Sequence, residues 1–239
     1  MPTTAFAGFP QEMIRFFRGL KRNNRREWFQ PRKHLFEQHV KAPMLELVAA
    51  LNAELARFAP NYVTDPTKAI FRIYRDTRFS ADKTPYKTNI AASFRRRGPK
   101  HVHLGGFYFS VSSDEIEVAG GLYHPPPETT LLVRTHISEN HPELRRILAN
   151  RTAQRLMGEL QGDELTRAPK GFDPKHPAAG LIKKKDWILY AMLDPGLATT
   201  PKLYREIVAR FRVIRPFLDY LNRPLISQKP PRDLLQDRW

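Results

Sequence analysis

Cysteine is absent from this chain of 239 residues. Its absence excludes disulfide bridges, thiolate catalysis and cysteine-ligated zinc or iron–sulfur centres, and is typical of proteins in a reducing compartment. The N-terminus also lacks the basic and apolar regions of a secretory signal. The longest unbroken apolar run is residues 187–193, whereas a transmembrane helix needs roughly 20 apolar residues. The sequence therefore predicts a cytoplasmic protein with no membrane span.

The common catalytic and cofactor signatures are missing as well. No GxSxG, GxGxxG, GxxxxGK[ST] or HExxH pattern occurs. The sequence therefore gives no support for an α/β-hydrolase, a dinucleotide-binding fold, a P-loop protein or a zinc protease. Among eight histidines, only His101 and His103 have the spacing of one strand face, and a surface pair is favoured over a pair of metal ligands. No cofactor and no metal site are predicted.

Acidic residues are scarce relative to basic ones. The chain has 24 Asp and Glu against 40 Lys and Arg, for a net charge of +16. A surplus of this size attracts polyanions, so nucleic acid, phosphorylated metabolites and anionic membrane surfaces all become candidate partners. The alternative is charge that serves solubility alone.

Apolar residues at helical spacing stand on both sides of the middle of the chain. Residues 10–22 and 43–58 have apolar side chains three and four positions apart, which predicts amphipathic helices. Near the other end, Thr200 and Pro201 are typical of a helix start and precede a similar stripe up to Leu218. Further helices are predicted between residues 125 and 160.

In the middle of the chain, and again at residues 187–193, the spacing of apolar residues no longer fits a helix. Alternation of apolar and polar residues, or a short apolar run, is typical of strands. The predicted strands are residues 68–75, 88–96, 105–112, 115–121 and 187–193. A two-residue loop at positions 113–114 places four apolar residues on one face of a hairpin. The predicted cross-strand pairs are Val111 with Ile116 and Phe109 with Val118.

These elements predict an α+β fold. A mostly antiparallel sheet of about five strands is expected to pack against the N-terminal and C-terminal helices. No glycine- and serine-rich linker or repeat divides the chain, so residues 1–222 are predicted to form a single domain. Residues 223–239 are rich in proline and are predicted to form a basic, extended C-terminal arm.

The densest charge cluster is KAIFRIYRDTRFSADKTPYK, residues 68–87. Its charged residues are Lys68, Arg72, Arg75, Asp76, Arg78, Asp82, Lys83 and Lys87. Guanidinium groups at a strand end suit bidentate capture of phosphate or carboxylate, and Tyr86 is placed with them in a candidate ligand site. Asp76 or Asp82 orients the arginines, or one of the two acts as a general base. The alternative is a structural ion-pair network that ties a loop to the sheet.

Several motifs of the chain resemble those of one known family. They are FRIYRDTRFSADKTPYKTN, GGFYFSV, EVAGGLYHPPP, APKGFDPKHP and LIKKKDW. Together they are similar to the "domain of unknown function 2461" family over roughly residues 9–221. The resemblance implies a cytoplasmic α+β domain, and it implies no activity, substrate or catalytic residue.

Two further segments carry candidate site residues. On the outer face of the hairpin, Glu117 lies across from Ser110 and is a candidate acid or base, with Tyr108 two residues along as a ligand contact. A solvated outer face is the favoured alternative there. In the loop of residues 162–186, Lys170 and the lysines at 183–185 are candidates for a lid over an anion. A solvated basic loop is favoured for this segment.

Basic residues are interleaved with aromatic ones between residues 15 and 41. A second basic run consists of Arg95, Arg96, Arg97 and Lys100. Such patches fit nonspecific binding of nucleic acid. However, Phe16 and Phe17 belong to the apolar face of a predicted helix, and no recognised nucleic-acid motif occurs.

Three hypotheses follow. In the first, a domain binds a small anionic ligand with its basic segment, and Asp76 or Glu117 exchanges protons; whether it is an enzyme stays open. The cations assigned to that ligand are Arg72, Arg75, Arg78 and Lys83. In the second, the protein is a nonspecific nucleic-acid-binding module. In the third, it is a structural or partner-binding protein whose charges serve solvation. No sequence feature indicates an oligomeric state.

Overall fold

The computed structural model describes residues 6–99 and 102–226. Helix α1 (Gln11–Arg22) begins after Pro10, whose backbone is extended. The apolar stripe of α1 is buried, as predicted: Met13, Ile14, Phe16, Phe17 and Leu20. Burial of this stripe, more than intrinsic helix propensity, is what stabilises a helix of this length.

The next helical region, residues 26–58, is interrupted twice. Helix α2 (Arg26–Phe29) leads through a 3₁₀ turn (Gln30–Arg32) into helix α3 (Lys33–Phe36). A π-helical turn (Glu37–Lys41) then precedes helix α4 (Ala42–Phe58). Pro43 lies in the first turn of α4, the part of a helix that tolerates proline best.

A single four-stranded antiparallel sheet follows, with its strands in sequence order. The strands are β1 (Asn89–Arg95), β2 (Gly106–Ser112), β3 (Ile116–Leu122) and β4 (Trp187–Leu193). The predicted α+β class is confirmed, and four of the five predicted strands are present. The predicted strand at residues 68–75 is wrong, because the segment starts inside a short helix, α5 (Pro66–Ala69). Its one β-bridge to the sheet in the described residues joins Ile70 to Ala92.

The hairpin register is as predicted. Val111 pairs with Ile116, and Phe109 pairs with Val118. The Ser112 backbone N–H donates to the Glu115 carbonyl at 2.9 Å, which closes the two-residue loop. The four paired apolar side chains are fully buried. This explains the register, because a slip by one residue would place the apolar side chains of the two strands on opposite faces.

The remaining helices lie before and after β4. They are α6 (Pro127–Leu148, kinked at Asn140), α7 (Arg151–Met157), α8 (Ala179–Ile182) and α9 (Lys202–Ile226), with a 3₁₀ turn at Pro195–Thr199. Helix α9 continues to Ile226, so the first four residues of the predicted extended arm are helical. The rest of that arm, residues 227–239, lies outside the described residues.

The two faces of the sheet have different neighbours. On one face, Phe211 of α9 stacks on Phe107 with ring centroids 4.6 Å apart and meets Phe94 edge-on at 5.8 Å. On the opposite face, one cross-strand row consists of Ser93, Tyr108, Ala119 and Tyr190. Within residues 6–99 and 102–226, no helix combines the length and the apolarity that crossing a bilayer requires.

Candidate functional site

The basic segment at residues 68–87 forms an irregular loop along the outer edge of β1. The Phe71 N–H donates to the Ala91 carbonyl at 2.9 Å, and the Lys87 N–H donates to the Ile73 carbonyl at 2.8 Å. Ile73 is buried, whereas Phe71 is 40% exposed. Lys68 is exposed in α5, away from the rest of the cluster's charges.

Several cations of this loop are engaged by the loop's own oxygen atoms. Arg75 donates to the Asp82 carboxylate and to the Thr84 hydroxyl. Arg78 forms a two-point pair with Asp76, at 2.8 and 3.0 Å. The ammonium of Lys83 donates to the carbonyl of Thr77 at 3.0 Å. These three cations therefore belong to a structural network, but its bonds lie within the loop, whereas the predicted alternative was an ion-pair network that ties the loop to the sheet.

The two aspartates of the loop are held in their ionised form. The Thr84 backbone N–H and the Arg75 guanidinium lower the pKa of Asp82 to about 2. Hydrogen bonds from Arg78 lower the pKa of Asp76 in the same way. A carboxylate that already accepts strong hydrogen bonds is a weak base, so the geometry does not favour Asp76, the predicted general base.

A first cleft of about 510 Å³ opens between this loop and the tip of the β2–β3 hairpin. We call it the hairpin cleft. Its lining includes Arg75, Asp82, Thr84, Lys87, Lys21 and Asp114. Lys21 donates to Asp114 at 2.7 Å across the cleft wall, so most charges in this cleft already have a partner of opposite sign.

A second cleft of about 690 Å³ lies over the open face of the sheet, and we call it the sheet groove. Its floor consists of small side chains on neighbouring strands: Ala91, Ser93, Gly106, Ala119 and Gly121. Aromatic side chains rise around that floor: Phe71, Tyr108, Tyr123 and Tyr190. Ionisable groups also line it, namely Lys87, Arg95, His103 and Glu117.

Lys87 lines both clefts. Its ammonium lies 5.0 Å from the centroid of the Phe71 ring. Burial lowers the pKa of Lys87, and the nearby charge of Arg72 lowers it further. Neither cation forms an ion pair with any carboxylate in the described part of the chain. Lys87 and Arg72 are therefore interacting positive charges, and in the described residues neither has a carboxylate within ion-pair distance, although the charge of Arg72 also lowers the pKa of Asp76.

Glu117 and Tyr108 lie in the sheet groove on adjacent strands. Burial raises the pKa of Glu117, and the charge of Glu115 raises it further. Burial also raises the pKa of Tyr108. A carboxyl group whose pKa is raised toward neutrality suits proton transfer better than an ordinary exposed one. The geometry thus supports Glu117 over Asp76 as a candidate acid or base.

The chain was compared with models of known protein families. The model described as "Conserved hypothetical protein (DUF2461)" matches residues 12–220. The chain belongs to the DUF2461 family. This confirms the resemblance found in the sequence motifs. No curated protein sequence matches the chain.

Not every predicted site residue of this DUF2461 protein lines one of the two clefts. Arg75, Asp82, Lys87, Tyr108 and Glu117 line one or both clefts, whereas Lys68, Arg72, Asp76, Arg78, Lys83 and Lys170 line neither. Arg72 is near enough to Lys87 for its charge to lower the pKa of Lys87. Tyr86 lines the hairpin cleft but is 1% exposed and stacks on Phe29 with centroids 4.2 Å apart. Its ring therefore belongs mainly to the core.

The aromatic residues of the N-terminal basic patch are packed inside the DUF2461 fold. Phe16 contacts Trp28 and Phe29, with ring centroids 5.7 and 6.2 Å apart. Rings in such contacts are not free to stack on bases. Arg95 lines the sheet groove, and Arg97 donates to the Val63 carbonyl at 3.3 Å. Lys100, the last residue of the second patch, lies outside the described residues.

Two features of this DUF2461 protein were not found from sequence. His103, predicted as part of a surface pair, lines the sheet groove, and burial lowers its pKa; His101 lies outside the described residues. At the same end of the sheet, His124 has a positive φ of 45° and its N–H donates to the buried Asp186 at 2.6 Å. Across residues 6–99 and 102–226, no group of three or more His, Asp or Glu side chains is placed to hold a metal ion.

Glu117→Gln is expected to raise the melting temperature at pH 7 to 8. Because the pKa of Glu117 is raised in the folded state, its ionised form opposes folding, and that cost disappears as pH falls through the raised pKa. The gain should stay below about 1 kcal/mol, or about 2 to 4 °C, since the side chain is only half-buried. Thermal unfolding at pH 4 and pH 8 measures it. The exposed Glu159→Gln is the control, and a gain of equal size at both pH values would contradict the prediction.

Proposed function

We propose that this protein binds a small molecule that carries a phosphate or carboxylate group, and that Lys87 and Arg72 hold that group where the hairpin cleft meets the sheet groove. The observation that supports the proposal is the pair of neighbouring cations without an ion-pair partner. Burial already opposes the charge of Lys87, and Arg72 adds repulsion. An anion placed between the two would relieve both effects.

The proposal narrows the set of cations predicted from the sequence. Arg75, Arg78 and Lys83 already bond to oxygen atoms of their own loop. We therefore give Arg75 and Asp82 the role of holding the loop in shape around the anion site. Glu117 is the residue to which we assign proton exchange with a bound ligand, because it lines the groove and its pKa is raised. The cytoplasmic location predicted from the absence of cysteine is part of the same proposal.

Lys87→Met is expected to abolish stabilisation by an anionic ligand without destabilising the free protein. Methionine keeps the apolar stem against Phe71 and removes a charge that has no ion-pair partner, so the variant should be at least as stable as the wild type. A ligand at 100 times its Kd stabilises the wild type by about 2.7 kcal/mol, or about 5 to 10 °C. Thermal unfolding with inorganic phosphate, glycerol phosphate and citrate measures the difference.

Lys68→Met is the matched control, because it removes the same charge from an exposed site that lines neither cleft. Sodium chloride at equal ionic strength separates binding from general screening of the positive surface. The proposal fails if phosphate compounds and citrate stabilise the protein no more than sodium chloride does. It also fails if they stabilise the Lys87→Met variant as much as the wild type.

A further inference from the structure

The sheet groove is bordered by more aromatic rings than the binding of an anion alone requires. Phe71, Tyr123 and Tyr190 are 40%, 64% and 38% exposed, and Tyr108 lies between Phe71 and the middle of the sheet. Contiguous aromatic surface that is left open around a concave site marks a binding surface. Lys87 contacts Phe71 at the near edge of the sheet, whereas Tyr190 lies on β4 at the far edge. An anion held at Lys87 and Arg72 does not require Tyr190, which is therefore available to a second part of the ligand.

We infer that the anionic ligand also carries a flat aromatic ring, as a nucleotide does, and that the ring inserts between Tyr108 and Tyr190. The inference rests on the proposed function, because the group held at Lys87 and the ring belong to one ligand. The class of ligand is therefore a heteroaromatic ring joined to a phosphate or carboxylate.

The strand register provides the slot for such a ring. Ala119 is the cross-strand partner of Tyr108 on one side and of Tyr190 on the other. Two strand spacings, about 9.5 Å, therefore separate the strands that carry the two tyrosines. A flat ring in contact with an aromatic ring on each side needs about 7 to 8 Å between those rings, because carbon atoms pack at about 3.5 to 4.0 Å. The short side chain of Ala119 leaves that space open.

The anion site is close enough to the slot for one small molecule to occupy both. The Lys87 ammonium lies 5.0 Å from the Phe71 ring centroid, which lies 6.2 Å from the centroid of Tyr108. The ammonium is therefore within about 11 Å of the Tyr108 ring, the sum of those two distances. A ring and an anionic group joined by a short linker fit this arrangement, whereas an anion without a ring leaves the slot unused.

Glu117 lies at one edge of the slot. It is the neighbour of Ala119 on the same face of β3, and it lies across from Ser110. A carboxylate there accepts a hydrogen bond from an N–H group on the edge of a heteroaromatic ring, and such a bond offsets the burial of its charge. Aliphatic anions offer no donor of this kind. The slot and its polar edge together select a ring of the type found in nucleobases.

The test compares glycerol phosphate with the four ribonucleoside monophosphates by isothermal titration. At least one nucleotide should bind about tenfold or more tightly than glycerol phosphate, because stacking of a base on an aromatic side chain contributes on that scale. Tyr190→Ala should remove most of this excess and leave the Kd for glycerol phosphate unchanged. Tyr190→Phe should retain it. Phe79→Ala, which removes a 95% exposed ring outside both clefts, is the control.

A single-stranded oligonucleotide distinguishes the two sources of such a ring. If it binds more tightly than the mononucleotides and Tyr190→Ala weakens it, the ring belongs to a nucleic acid; no gain over the mononucleotides assigns a free nucleotide. Equal affinity for glycerol phosphate and every nucleotide overturns the inference and leaves the proposed function standing. An unchanged nucleotide affinity in Tyr190→Ala also overturns the inference without contradicting the proposed function. Absence of binding by all the phosphate compounds overturns both.

Discussion

Asn222→Ala is expected to lower the free energy of unfolding by about 3 kcal/mol or more. The side chain is fully buried, and its amide bonds both the N–H and the carbonyl of Gly105, at 2.8 and 3.2 Å. Alanine would leave the Gly105 N–H buried without a partner and its carbonyl with only the longer bond from the Arg96 N–H, at 3.5 Å. A buried group without a partner costs about 1 to 3 kcal/mol. A third bond, 3.1 Å from the Asn222 amide to the Tyr62 hydroxyl, would also be lost. Urea unfolding measures the change.

The chain contains a matched control for this prediction. Asn52 bonds the N–H and the carbonyl of Thr64 in the same way, at 3.1 and 2.6 Å, but it is only partly buried. Water can replace the lost partner there, so Asn52→Ala should cost about 1 kcal/mol. Tyr62→Phe removes the third bond of Asn222 alone. Losses of similar size for the two asparagines would show that burial of the Gly105 backbone groups is not the source of the effect.

Those parts of the fold that depend on local pattern could be predicted from the sequence. The α1 stripe is apolar at helical spacing, and one arrangement alone buries it. The hairpin register followed from the fact that a slip by one residue exposes Phe109 and Val111 together. In both cases residues close in sequence determine which face is buried, so the prediction does not depend on contacts between distant parts of the chain.

The error at residues 68–75 has a physical cause. Alternating apolar residues show that a segment is half-buried and extended, but they do not show how many hydrogen bonds it forms with the sheet. Asp65 caps a helical turn by accepting from the Thr67 N–H at 2.8 Å, which removes Lys68 from the extended segment. Beyond it, Tyr74 pairs with Tyr86 within the loop. The remaining contact with β1 is too short to form a strand.

The cations of the 68–87 segment differ in whether the sequence indicates their ion-pair partners. Asp76 stands two residues before Arg78, and such local spacing indicates a local ion pair, which the structure contains. Lys87 has no acid at comparable spacing, and neither Lys87 nor Arg72 forms an ion pair in the described residues, whereas Arg75 and Arg78 do. Local spacing accounts for the Asp76–Arg78 pair, whereas Arg75 pairs with Asp82 seven residues further on and not with its neighbour Asp76, so that second pair depends on how the loop folds.

The sheet groove could not be assembled from the sequence. Phe71, Tyr108, Tyr123 and Tyr190 come from an edge loop, the hairpin region and a strand more than sixty residues further on. Their meeting depends on β4 pairing with β3 across the intervening helices. Pairing of that kind is set by the global packing of the chain, and the residues themselves read separately as ordinary strand and loop aromatics.

Gly121→Ala is expected to lower the free energy of unfolding by about 3 kcal/mol or more. Gly121 pairs with Gly106 in the floor of the sheet groove and has a φ of +150°, a conformation that L-residues rarely adopt. A Cβ atom at this position would lie 2.0 Å from the Trp187 carbonyl oxygen and 2.9 Å from the Ile188 Cα. Both are backbone atoms of β4, so relief of the clash would require separation of β3 from β4.

Two other glycines serve as controls that separate the steric clash at Gly121 from the cost of its positive φ. Gly158 has a φ of +72°, and a Cβ atom added there would meet nothing within 4 Å, so Gly158→Ala should show only the conformational cost, about 1 kcal/mol. Gly180 lies in helix α8 with open space and no positive φ, so Gly180→Ala should be neutral or stabilising. Urea unfolding should rank the three losses as Gly121, Gly158 and Gly180. If Gly121→Ala costs no more than Gly158→Ala, the close approach of β4 to this position is not what requires glycine in the groove floor.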